Sequence, residues 1–214
     1  MLNLAAAVLV LATMLLAIDC NGRDPLPINH ERAARQVTRA EKFNEYPLFW
    51  VGETYEGLPI SGIRVDSARS IVGYGTCTLP QGEGGCSIPL QIQIQPICLH
   101  WPARFSATPT DVPRPDELAP YTVRGVRARS TDGGLELYTD EVAIKIYYAE
   151  GETRSEVSED GFVSEPPSEE LLEVAEALVS INTGIGPGEP LTPASEDALW
   201  GRLPCQQNAG PEGT

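Results

Sequence analysis

Hydrophobic and polar positions alternate most cleanly at residues 90–95. Leu90, Ile92 and Ile94 face one way and Gln91, Gln93 and Gln95 the other, which predicts a strand buried on one face and wet on the other. Pro96 then ends the pairing or marks an edge. The same period of two returns where Val142, Ile144 and Ile146 alternate with Ala143, Lys145 and Tyr147. With a strand at 121–130, a turn at Thr131-Asp132-Gly133-Gly134, a strand at 135–139 and a tight Asp140-Glu141, this predicts a three-stranded antiparallel meander. Upstream, aromatic and β-prone residues at 46–52 predict the first strand of the folded body. Gly57-Leu58-Pro59 reads as a turn, and 60–65 and 70–74 as short strands.

Two stretches change to the helical period. Asn29 is placed as an N-cap, with Glu31 in the first turn and Ala33, Val37 and Ala40 at helical spacing. Ser168 caps a second helix, with Glu169 and Glu170 at its positive end and Leu171, Val174, Ala175 and Leu178 on one face. That face is expected to seal one side of the meander. Five prolines at 102–120 predict a surface crossing, and 150–167 an acidic loop. The Gly- and Pro-rich stretch from Asn182 predicts irregular chain with only 198–203 docking.

The expected fold class is therefore α+β, mostly antiparallel β-sheet with a C-terminal helix packed on a β-meander. It is disulfide-stapled and preceded by an N-terminal hydrophobic helix. The chain divides into a signal sequence or membrane anchor (1–20), a tether with a short helix (21–45), a β-rich body (46–181) and a Gly/Pro-rich tail (182–214).

The N-terminal segment sets the compartment. Residues 2–18 are an uncharged apolar run that breaks off at Asp19-Cys20-Asn21-Gly22-Arg23. As a helix the run would span about 25 Å at roughly 1.5 Å per residue, short for a bilayer core of about 30 Å and long for a cleaved signal. Three fates follow. Cys20 carries lipid, although Asp19 stands where a lipoprotein signal has a small residue. Alternatively the helix is kept as an anchor, or the chain is cut near Ala17 or Gly22. Each places the body on the extracytoplasmic side of a cell membrane, or secretes it.

Charge and cysteine count narrow the picture. A formal net charge of −15 repels phosphate backbones and disfavours nucleic acid as a partner. Gly (20) and Pro (19) favour strands joined by turns over a helical bundle. Five cysteines in an oxidising compartment imply one special residue, Cys20, and two bridges among Cys77, Cys86, Cys98 and Cys205. Of the three pairings, Cys77–Cys86 with Cys98–Cys205 is favoured. Pro80 and three glycines between Cys77 and Cys86 make a hairpin loop that brings its ends together.

No motif carries an activity, and no catalytic residue, metal ligand or cofactor is assigned. Glu169, Glu170, Glu173 and Glu176 read as a solvated helix face. Glu150, Glu152, Glu156, Glu159 and Asp160 lack the spacing of a calcium loop. His100, in Cys98-Leu99-His100-Trp101, reads as a satisfied structural histidine before a copper ligand. No nucleophile elbow accompanies His30 or His100, and Gly184–Gly188 has no lysine to cradle phosphate. Tyr46, Phe49, Trp50, Tyr55 and Tyr74 fill a core or, less simply, form a ligand platform.

Phe49-Trp50-Val51-Gly52 with Gly57-Leu58-Pro59, followed by Tyr74-Gly75-Thr76-Cys77 and Gly84-Gly85-Cys86-Ser87, resembles a group of uncharacterised exported bacterial envelope proteins. The likeness covers residues 46–100 and implies no activity, since none is assigned to that group. The helix at Glu169-Glu170-Leu171-Leu172 over its sheet also resembles the half-barrels of envelope lipid or lipoprotein carriers. The expected function is a non-enzymatic, membrane-associated binding or interaction protein of the cell envelope. Its partner would be an envelope protein or a small apolar ligand. A carrier or sensor of an apolar ligand is the alternative, and a hydrolase a further one.

Overall fold

Asn29 caps helix α1 (His30–Glu41), its Oδ1 accepting the Arg32 N–H at 2.9 Å. In this computed structural model the described residues are 27–77, 88–100, 119–131, 134–148, 166–199 and 201–205. The apolar run at 2–18, Cys20, Cys86 and the acidic stretch at 150–160 lie outside them. Helix α1 buries Ala33 and Ala40 against β3 (Leu58–Arg64). The sequence between Ile60 and Gly62 slips register, and Gln36 Oε1 of α1 accepts the Ile63 N–H at 3.1 Å just beyond the bulge. The helix assigned to a tether is thus packed on the body.

Eight strands form one antiparallel sheet. The first four are β2 (Thr54–Tyr55), β3, β4 (Ser70–Tyr74) and β5 (Leu90–Pro96), and the second four are β6 (Tyr121–Val123), β7 (Val126–Thr131), β8 (Gly134–Tyr138) and β9 (Val142–Tyr148). Their order is β2-β3-β4-β5-β9-β8-β7-β6, so two meanders meet where β5 pairs with β9. A separate ribbon pairs β1 (Phe49–Trp50) with β10 (Val179–Ser180). Two turns differ from expectation. Glu56 (φ 48°) and Gly57 (φ 81°) make the β2–β3 turn, so Leu58 and Pro59 already lie in β3. Arg124 (φ 50°) and Gly125 (φ 84°) split the expected strand at 121–130 into β6 and β7, giving a four-stranded second meander. Positive φ at both central residues is the hairpin turn whose twist matches flanking strands.

Alternation decides which residues fill the core. Val72, Tyr74, Leu90, Ile92, Ile94, Leu135, Leu137, Val142, Ile144 and Ile146 are fully buried on one face of the sheet. Over the second meander lies α2 (Glu169–Ala177), where Ser168 Oγ accepts the Leu171 N–H at 3.3 Å as expected of the cap. Leu171, Val174, Ala175 and Leu178 are buried, and α2 packs on β6, β8 and β9. Each large apolar side chain so buried contributes about 1.5–3 kcal/mol before chain entropy is charged against it. Residues 182–199 add little regular structure beyond α3 (Glu196–Leu199), yet they pack on the body. Leu191 is buried, Pro193 bridges Thr139, and Ala198 and Leu199 are buried.

Candidate functional site

The sheet's second face carries the unusual chemistry. Leu135 and Leu137 of β8 point into the main core, so Gly134, Glu136 and Tyr138 point the other way. Two cross-strand rows run over this face. Gln93, Lys145, Glu136 and Arg129 are successive partners in one, and Gln95, Ala143, Tyr138 and Arg127 in the other. One end of the face is covered. Ile97, Ala119, Tyr138, Ala143, Ala198 and Leu199 form a second apolar cluster there, with Leu203 against it.

The chain reaches this cluster through a turn. After Pro96 the residues Ile97–Leu99 form a 3-10 turn, with the Ile97 N–H donating to the Glu141 carbonyl (2.8 Å) and the His100 N–H to the Ile97 carbonyl (3.0 Å). The turn lays the His100 imidazole beside β8, its centroid 4.9 Å from the Tyr138 ring. His100 Nδ1 is 3.0 Å from Gln95 Nε2 and 3.4 Å from Glu136 Oε1. The other carboxylate oxygen, Glu136 Oε2, accepts from Arg129 Nε (2.9 Å), Arg129 Nη2 (2.8 Å) and the Tyr138 hydroxyl (2.9 Å). The His100 and Glu136 side chains are only 4 and 6 % exposed.

Burial and charge set the protonation states. Burial raises the Glu136 carboxyl, but His100, Arg129, the Tyr138 hydrogen bond and Lys145 outweigh it and hold it below the usual carboxylate range. Burial lowers His100, with Glu136 opposing and Arg129 and Lys145 adding to the fall, which favours the neutral imidazole. Burial, then the Glu136 charge, push Tyr138 well up. Burial alone would lower Arg129, but Tyr138 and Glu136 raise it, so it stays a cation. One carboxylate and one guanidinium therefore balance inside a largely desolvated site. Removing either partner would strand a buried charge.

His100 is where the expectation of a satisfied histidine fails in part. A neutral imidazole carries one N–H, so Nδ1 either accepts from the Gln95 amide or donates toward Glu136. In both tautomers Nε2 is buried and has no hydrogen-bond partner among the described residues. Thr131 Oγ1 on β7 is buried without a partner as well. Such atoms are rare in folded proteins and call for an explanation. Chemically the cluster can take up a proton at His100 beside a fixed carboxylate. Among the described residues, the groups within reach of the imidazole are Gln95, Glu136 and Tyr138, none of them a strong nucleophile.

Of the residues singled out in the sequence, Cys98 and Cys205 are joined by a disulfide, with Cα atoms 5.0 Å apart and 107 residues between their positions. Cys77 is also disulfide-bonded. Its expected partner, Cys86, lies outside the described residues, as does Cys20. Three of the five cysteines are thereby removed from a thiolate metal set. Tyr46, Phe49 and Tyr74 are core residues, and Trp50 and Tyr55 pack against that core. Glu173 and Glu176 are exposed on the outer face of α2, as read. Glu136, Arg129 and Tyr138 were not singled out. Their signal was the alternation of Gly134-Leu135-Glu136-Leu137-Tyr138, which places a carboxylate opposite the leucines.

An open cleft of about 270 Å³ lies at the β8–β9 turn, lined by Phe49, Asp140, Glu141, Thr183, Ile185 and Thr192. Its acidic and hydroxyl groups point to no single chemistry. No family model, no curated protein and no solved structure matches the chain.

Proposed function

We propose that the protein works on the extracytoplasmic side of a cell membrane, tethered through its N-terminal segment, as a non-enzymatic binding or interaction protein of the envelope. The observation that supports this most is the Cys98–Cys205 disulfide. Structural disulfides persist in oxidising compartments and are rare where thiols are kept reduced. The uncharged apolar run at 2–18 points the same way from the other end of the chain. The resemblance of residues 46–100 to uncharacterised exported envelope proteins agrees with this and adds no activity.

The alternatives receive less support. A carrier of apolar ligands needs room between α2 and the second meander. There Val174, Ala175 and Leu178 are fully buried against Leu135, Leu137, Ile144 and Ile146, which are fully buried too. A hydrolase needs a carboxylate or imidazole that meets substrate, whereas Glu136 and His100 are sealed.

The test is mass spectrometry of the mature chain from membrane and soluble fractions, under non-reducing conditions. A lipidated Cys20 or an intact Met1 in the membrane fraction, with Cys98 linked to Cys205, is the expected result. Recovery only from the cytosol with both cysteines alkylated as free thiols would reject the proposal. Native mass spectrometry of the same material would favour the carrier if an apolar molecule travels with the chain.

A further inference from the structure

The C-terminal segment changes how it is held at Ala194. Up to that point it is stitched to the β8–β9 turn. The Asp140 N–H donates to the Thr192 carbonyl (3.0 Å) and the Ala194 N–H to the Tyr138 carbonyl (3.2 Å). Beyond it, the backbone hydrogen bonds among the described residues close within the segment. The Ala198 N–H reaches Ser195 Oγ (3.2 Å), the Leu199 N–H the Ser195 carbonyl (3.0 Å) and the Arg202 N–H the Asp197 carbonyl (2.8 Å). Ala198 and Leu199 seat α3 on Ile97, Tyr138 and Ala143, and Cys205 is bonded to Cys98. A helix of four residues has no stability of its own.

The bond also lies next to the polar cluster. Cys98 sits within the 3-10 turn that delivers His100, and α3 packs on that turn. Both cysteines are half-buried, so a reductant can reach them. Among the described residues, the groups facing His100 are Glu136 and Tyr138 from β8, Arg129 from β7, Lys145 from β9 and the neutral Gln95 from β5. Helix α3 sets Ala198 and Leu199 in one apolar cluster with Tyr138, whose ring lies 4.9 Å from the imidazole, and leaves Glu196 and Asp197 exposed.

We propose that the Cys98–Cys205 disulfide is a redox latch over the His100–Glu136 cluster: its reduction releases α3 from the sheet and opens His100 Nε2 to solvent. The proposal rests on the oxidising compartment inferred above. The reductant is a dithiol of the thiol–disulfide exchange class. One of its thiolates attacks a sulfur of the bond and expels the other as thiolate, giving a mixed disulfide. Its second thiol then resolves that intermediate. Two electrons pass to the chain, Cys98 and Cys205 become thiols, and the reductant leaves as a disulfide carrying the two electrons' deficit. Once wet, Nε2 can take a proton below about pH 6.5, which adds a positive charge to those of Arg129 and Lys145 around the single Glu136 carboxylate.

The test uses the full chain with Cys98→Ala and Cys205→Ala together, which removes this bond and leaves the one at Cys77. The two histidines are followed by NMR titration, exposed His30 serving as the internal reference. The expected result is a His100 midpoint that rises to about 6.5, the unperturbed value. Amide protection at 195–205 should fall by at least about tenfold while β5, β8 and β9 keep theirs. A His100 midpoint equal to that of the oxidised chain would overturn the latch. Loss of protection across the sheet would overturn it too, since the bond would then be a staple of the whole fold. The measurement is made on purified protein, so its failure is distinct from a failure of the compartment assignment, which fractionation reads.

Discussion

Arg124 Nη1 lies 2.6 Å from the carbonyl oxygen of Leu178, the residue that ends α2. The same guanidinium donates through Nη2 to Gly186 (2.8 Å) and through Nε to Glu189 (2.8 Å), with Ala175 at 3.4 Å from Nη1. The Arg124 carbonyl accepts the Leu191 N–H at 2.8 Å. One residue of a hairpin turn thus satisfies carbonyls left over at a helix C-terminus and fixes the path of 186–191. The left-handed φ of 50° at Arg124 is part of that geometry. Replacing Arg124 by Ala should leave buried carbonyls without donors and cost about 2–4 kcal/mol. Lys keeps the charge but lacks the planar fork, so Arg124→Lys should recover less than half of that. Urea unfolding measures both as shifts of midpoint at constant slope. A loss under about 0.5 kcal/mol for Arg124→Ala would remove the clamp from the account.

Acid should weaken the fold in two windows. His100 is held below its unfolded value by burial, so between the two values the unfolded chain binds the extra proton. Its contribution is therefore present above about pH 6.5 and is lost as pH falls through the folded value. Glu136 is also lowered, through His100, Arg129, Tyr138 and Lys145 acting against its burial. Its stabilisation is present above the usual carboxylate range and is lost at lower pH, as the folded value is passed. His100→Gln should abolish the upper window and narrow the lower one, because His100 is the first of the groups that lower Glu136. Unfolding free energy against pH reads both. An unchanged slope near pH 6 in that variant would show that His100 is not the group responsible.

How much of this was legible depends on whether the determining contact is local. Leu90–Pro96 and Val142–Tyr148 were visible because each strand writes its own burial in alternation. Ser168 and Asn29 were visible because a cap is a single residue type beside a helical pattern. The Arg124–Gly125 turn was not, because arginine is not a turn residue and the reason for it lies more than fifty residues away at Leu178. The Glu136 site was half legible. Alternation sends Glu136 to the second face, but nothing nearby in the sequence says that α3 and the turn before His100 will cover that face. Counting alone left three pairings for Cys98 and Cys205, and theirs was favoured only as the remainder once the Pro- and Gly-rich loop at 78–85 favoured Cys77 with Cys86.

Two glycines separate backbone strain from steric crowding. Gly57 and Gly75 both have left-handed φ, 81° and 79°. A methyl group at Gly57 would meet nothing within 4 Å, whereas at Gly75 it would lie 2.8 Å from Pro89 Cγ and 3.2 Å from Leu58 Cδ2. Gly57→Ala should cost about 1 kcal/mol, from backbone conformation alone. Gly75→Ala adds overpacking of a buried site and should cost about 2–4 kcal/mol. Thermal or urea denaturation of the two variants gives the difference. Equal losses would mean that Pro89 and Leu58 move aside without penalty.

Asn182 closes the fold by joining its beginning to its end. Its Oδ1 accepts the Leu48 N–H at 2.8 Å, and its Nδ2 donates to the Phe43 (2.8 Å) and Tyr46 (3.0 Å) carbonyls. The connection between α1 and β1 is thereby held to the residue pair after β10, across more than 130 positions of sequence. Only a side chain with both an acceptor and a two-proton donor fits this set. Asn182→Asp is nearly isosteric, yet it replaces the donor by an oxygen facing two carbonyl oxygens. It should destabilise by about 2–4 kcal/mol at pH 7, more than Asn182→Ala, which removes the bonds without adding repulsion. Below the aspartate's own pKa, about 3.9 when unperturbed, the protonated acid can donate one of the lost bonds. The gap between Asp and Ala should therefore narrow as pH falls toward 4, measured against the parent chain at each pH. An aspartate variant as stable as the parent at pH 7 would show that the 43–48 connection is held by other contacts.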